Sequence, residues 1–131
     1  MKFVLPFGIA RKTLNTINVE GELRVSASYD DMITFIRTIL SGVEVDEEWY
    51  LQTYEDIGEG IREGSVKTAA DHFVEIGYFE GRLPFRIEVD EEWYLRQNPD
   101  VAESIQRGEI QSAQRHFEND GYREGRLPFG F

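Results

Sequence analysis

One stretch occurs twice in this chain, and it limits what the chain can fold into more than any other feature. V-D-E-E-W-Y-L…H-F…G-Y-x-E-G-R-L-P-F runs from Val45 to Phe85 and returns from Val89 to Phe129. Position n matches position n+44 without a gap, and about half of the aligned pairs are identical. An insertion would break the register, so each copy is one packing unit. A unit of this size builds only a marginal core alone, so the two copies are expected to pack together around one continuous core.

The boundaries that follow are an N-terminal segment (1–42), repeat 1 (43–86) and repeat 2 (87–131), forming one compact domain. In each repeat an aspartate, Asp46 or Asp90, precedes Glu-Glu-Trp-Tyr-Leu. That is an N-cap followed by acids in the first helical turn, where the helix dipole favours negative charge. In repeat 2 this helix must be short, because Asn98-Pro99-Asp100 interrupts it. Asn98 is expected to cap a second helix, with Pro99 at its first position, running to Gly108. Repeat 1 has Tyr54-Glu55-Asp56 there, and the shared register predicts the same bend.

A third helix carries Val66, Ala69 and Phe73 on one face in repeat 1, and Ile110, Ala113 and Phe117 in repeat 2. Gly77 and Gly121 are expected at the left-handed position that ends it. Ala70, Val74 and Ile76 of repeat 1 become Gln114, Glu118 and Asp120 in repeat 2. Repeat 1 therefore has a second apolar face for the N-terminal segment to cover, and repeat 2 reads as a solvent-facing cap.

Within the N-terminal segment, Lys2 to Phe7 reads as a short extended run ended by Pro6 and Gly8. The apolar stretch Phe3 to Ala10, which would suit a signal peptide, holds Pro6 and Gly8 and stops at Arg11-Lys12 without a small-residue cleavage pattern, so it is read as part of the mature domain. From Thr16 to Ala27 the pattern alternates, with Ile17, Val19, Leu23, Val25 and Ala27 on one parity and a bend at Gly21. Ser28 then caps a helix whose apolar stripe is Met32, Phe35, Ile36, Ile39 and Leu40, with Gly42 at its end. The fold class expected is mainly α (α+β): a short β element and a helix, then two tandem three-helix repeats.

Repeat 2 carries Tyr94-Leu95-x-x-Asn98-Pro99-Asp100-Val101-Ala102, then His116-Phe117 and Gly121-x-x-Glu124-Gly125-Arg126. It resembles a bacterial repeat found beside glycosyltransferase and surface-polysaccharide domains and in large secreted proteins. The resemblance covers 45–129, and repeat 1 departs from it at Tyr54-Glu55-Asp56-Ile57-Gly58. It implies a helical unit and a setting in envelope or polysaccharide assembly, and it implies no catalytic role. Residues 1–42 take no part in it.

Charge and composition narrow the chemistry. Twenty-five acidic against fourteen basic residues give a net charge of −11, which repels nucleic acid and suits a basic protein partner. The chain has no cysteine, which removes disulfides and thiolate chemistry. No apolar run reaches the length of a membrane span, and a cytoplasmic location is expected.

His72 and His116 occupy equivalent positions and would hold a metal if repeat symmetry brought them together. A histidine bonded at the core edge is the favoured reading, and no metal or cofactor is expected. Trp49 and Trp93 offer aromatic surface for a sugar ring, although packing is favoured for aromatics this large in a small core. Arg82 and Arg126 could clasp an anion, but pairing with acids of a neighbouring turn is favoured. The blocks Asp46-Glu47-Glu48 and Asp90-Glu91-Glu92 lack calcium-loop spacing and are explained by helix starts. No nucleophile-and-base set or phosphate loop is present, so no catalytic residue is assigned. The function expected is a non-catalytic interaction or adaptor module that self-associates through its N-terminal strands. Carbohydrate binding through the repeat aromatics is the alternative.

Overall fold

The computed structural model describes residues 7–131; of the extended run expected over Lys2–Phe7, all but Phe7 lies outside them. Phe7–Ala10 forms a short helix, α1, so Gly8 sits inside a helical turn instead of ending a strand. A 3-10 turn, Arg11–Thr13, leads to the antiparallel strands β1 (Asn15–Val19) and β2 (Glu22–Ser26). Helix α2 (Tyr29–Leu40) follows. Repeat 1 holds α3 (Glu47–Thr53), α4 (Glu55–Glu63) and α5 (Ala69–His72). Repeat 2 holds α6 (Glu91–Gln97), α7 (Pro99–Gln106) and α8 (Ala113–His116). The mainly helical class with a small sheet is as expected.

The helix starts form where local chemistry puts them. Asp46 accepts a hydrogen bond from the Trp49 amide and Asp90 from the Trp93 amide, both at 3.0 Å. Ser28 and Asp31 make a reciprocal capping box at the head of α2. Pro99 opens α7 at the position where a missing N–H costs nothing. The bend between first and second helices is the same in both repeats: Tyr54 has φ −120° and ψ 77°, Asn98 φ −124° and ψ 73°. Asn98, however, does not cap α7 with its side chain. Its Nδ2 donates to the Tyr94 carbonyl and its Oδ1 accepts from Arg126, so it ties the bend to the end of the repeat.

The third helices continue as π-helical turns, Phe73–Gly77 and Phe117–Gly121. Gly77 and Gly121 are therefore not left-handed caps. A Cβ on either would collide with the hydroxyl of Tyr50 or Tyr94, which is what demands glycine there. The left-handed glycines come four residues later, Gly81 at φ +76° and Gly125 at φ +78°.

The core is two clusters, not one continuous body. Tyr50, Ile57, Ala69 and Phe73 form the first together with Leu40 of α2. Tyr94, Val101, Ala113 and Phe117 form the second together with Leu83 from the tail of repeat 1. Trp49 of α3 joins them: it packs on the second cluster and meets Tyr54 of the first edge-on at 6.1 Å.

Helix α2 covers part of repeat 1, with Leu40 and Ile36 on the first cluster and Arg37 donating to the Glu75 carbonyl, but Ile76 of the face expected to be covered is exposed. Met32 and Ile39, expected in the same stripe, are exposed. In repeat 2, Gln114 and Glu118 do not make a solvent-facing cap. Gln114 accepts from the Val89 amide and donates to the Ile87 carbonyl and to Glu118, which also pairs with Arg86. These polar replacements hold the linker that leads out of repeat 1.

Candidate functional site

The paired residues singled out by the repeat sit in two equivalent nodes. His72 Nδ1 lies 2.9 Å from the Tyr50 hydroxyl, and His116 Nδ1 2.9 Å from that of Tyr94. All four side chains are buried. Burial lowers the His72 pKa from its ordinary value, with Arg82 acting in the same direction. Burial also raises the pKa values of Tyr50 and Tyr94, so both hydroxyls stay protonated. Each histidine is bonded inside its own unit, and no group of three or more potential metal ligands occurs among the described residues.

Arg82 and Arg126 close each repeat onto its bend. Arg82 makes a fork to Asp56 at 3.0 and 2.9 Å, reaches Glu80 at 3.0 Å and lies over the Tyr54 ring at 5.0 Å. Arg126 makes the same fork to Asp100 at 3.0 and 2.8 Å and reaches Glu124 at 2.7 Å. Hydrogen bonding from each arginine lowers the pKa of the Asp56 or Asp100 it faces. An anion would have to displace two carboxylates from either arginine, so both guanidiniums serve the fold as they stand.

Trp49 and Trp93 are both half-buried against the second cluster. Trp49 also lines a cleft of about 1010 Å³ between the repeats, with Gln52, Gln111, Arg115 and Asn119 among its walls. The pattern of paired copies did not reveal this cleft, because apart from Trp49 and Leu83 it is lined by positions where the copies differ. Trp93 lies beside Gly130 in the tail of repeat 2, so the two tryptophans are not equivalent in surroundings.

The surface that stands out is the hairpin. Glu20 (φ 52°) and Gly21 (φ 84°) make a two-residue turn with both φ positive, and the Gly21 amide donates to Asn18 at 2.9 Å. Ile17 pairs with Arg24 and Asn18 with Leu23. Opposed residues thus differ in parity, and side chains of one parity fall on opposite faces. Ile17 and Val19 lie on one face, Leu23 and Val25 on the other, which corrects the expectation of a single apolar face. Every residue of both strands is exposed. Arg11, Lys12 and Arg24 against Glu20 and Glu22 leave residues 7–27 slightly basic in a chain of net charge −11.

No helix among the described residues is long and apolar enough to cross a membrane. No family model matches this chain, and neither does any curated protein or solved structure.

Proposed function

We propose that this protein is a non-catalytic protein–protein interaction module that self-associates through its N-terminal hairpin. The observation that carries the reading is a two-stranded sheet with apolar side chains on both faces and neither face covered. Two strands alone are marginal in water, and each strand has an unpaired edge able to take another strand. A second copy suits it, because the segment around the hairpin is slightly basic while the remainder of the chain is strongly acidic. The likeness of residues 45–129 to bacterial repeats beside polysaccharide-assembly domains supports an adaptor role in that setting, with the repeats as scaffold.

Light scattering across a concentration series tests it. The wild type is expected to reach a dimer mass that L23K/V25K lowers to a monomer, with circular dichroism unchanged. A wild-type mass that stays monomeric at high concentration overturns the reading. Carbohydrate binding is the second reading, favoured by the inter-repeat cleft, where Trp49 stands beside the amides Gln52, Gln111 and Asn119. Titration with neutral oligosaccharides would then shift tryptophan fluorescence in the wild type and not in N119A.

A further inference from the structure

Repeat 1 hands a side chain forward to repeat 2. Leu83, in its Arg-Leu-Pro-Phe tail, is 4% exposed and belongs to the second cluster. Its amide donates to the Tyr54 hydroxyl at 2.8 Å. Beside it Gly81 passes beneath Arg123 of repeat 2, where an added Cβ would come within 2.5 Å of the arginine side chain. On the other side of repeat 1, Leu40 of α2 is the buried leucine that the first cluster takes from outside the repeat. Each unit thus receives one leucine from the element before it.

The same tail recurs at the end of repeat 2 in the same pose. The Pro128 carbonyl accepts from the Asp90 amide at 3.0 Å, as Pro84 does from Asp46 at 3.0 Å. The Arg126 amide donates to the Gly121 carbonyl, as Arg82 does to Gly77. Yet Leu127 is 48% exposed where Leu83 is buried, and a Cβ on Gly125 would meet nothing within 4 Å. Phe129 and Phe131 beside it are also exposed and meet edge-on at 5.6 Å.

We infer that the end of repeat 2, formed by Gly125, Leu127 and Phe129, is a docking face for a further unit of the same repeat carried by a partner polypeptide. The argument for that occupant is the interface already inside the molecule: an identical tail in an identical pose is seen to fit a unit of this kind. A second copy does not qualify, because Leu40 and Leu83 already fill both of its receiving sites. The required partner is an uncapped unit, with no helix of its own standing where α2 stands. This inference does not depend on the hairpin reading.

Fusing a second copy of residues 88–131 after Phe131 of the intact chain, which keeps the 44-residue period, tests the fit, since the tether makes even weak docking intramolecular. The fused unit has the sequence already seen folded on this tail, so its failure to fold there would itself be a negative result. The expected outcome is one cooperative thermal transition above that of the parent, with amide exchange at Leu127 slowed at least tenfold. L127D in the extended chain should abolish both changes, and the same substitution in the parent should leave its melt unaltered. Separate transitions, or unchanged exchange at Leu127, would overturn the inference.

Discussion

Tyr50 Oη and His72 Nδ1 lie 2.9 Å apart inside repeat 1, and Gly77 leaves the space that lets the hydroxyl reach the imidazole. The phenol is fully buried and its hydroxyl is satisfied by a single partner, so the pair and the glycine form one device. Removing the equivalent hydroxyl with Y94F strands His116 Nδ1 and should cost about 1–2 kcal/mol in urea unfolding. G121A should cost about 1–3 kcal/mol, because the added methyl displaces a packed tyrosine instead of filling a void.

The buried imidazole makes stability depend on pH. His72 has its folded pKa below the ordinary 6.5 because burial disfavours its charged form, and Arg82 pushes the same way against Glu80 and Asp56. Between the folded value and 6.5 the unfolded chain holds more protons, so stability rises with pH there. The contribution is complete above 6.5 and is lost as pH falls through the folded value. Asp56, also depressed, loses its share only in the more acidic range below 3.8. Urea titrations at pH 7.5 and 5 should show a drop that H72Q reduces.

The arginine forks should contribute modestly. Asp56 and Asp100 are 60% and 63% exposed, so solvent screens both pairs. D56N and D100N should each cost about 0.5–1 kcal/mol, and the loss should shrink in high salt. R82K should cost about 1 kcal/mol, because a lysine cannot make the fork to Asp56 or lie flat over Tyr54.

Trp49 joins the two clusters, so W49A should do more than remove packing. A loss of about 2 kcal/mol is expected for a half-buried indole, together with a calorimetric transition that broadens as the units uncouple. L23K, on the exposed hairpin, should change unfolding free energy by less than about 0.5 kcal/mol. Differential scanning calorimetry of dilute samples separates the two behaviours.

What could be read from the chain was local. Asp46, Asp90 and Ser28 announce helix starts because a cap needs only its own first turn, and Pro99 marks a helix opening for the same reason. The bend at Tyr54 followed from register alone. What could not be read depends on partners distant in sequence. Gly77 before Tyr78 suits a left-handed cap as well as a π turn, and the Tyr50 hydroxyl, far back in the chain, decides between them. Gln114 looked like a solvent residue until the linker over it was placed. Asn98 looked like a cap until Arg126 claimed its oxygen. The hairpin parity was the one miss open to correction beforehand, since a two-residue Glu20-Gly21 turn always opposes residues of unlike parity. The inter-repeat cleft left no signal, because apart from Trp49 and Leu83 its walls come from positions where the copies differ.

The hydrogen bonds from Asp46 to Pro84 and from Asp90 to Pro128 have a consequence for how the chain reaches its native state. Each joins the start of a unit to its finish, so a unit completes most of its contacts within some forty residues of chain. Either unit can then serve as the first to form, and the leucine passed between them is the step that commits its neighbour. Pulled from its two ends, such a molecule should yield in steps, one loop released at a time.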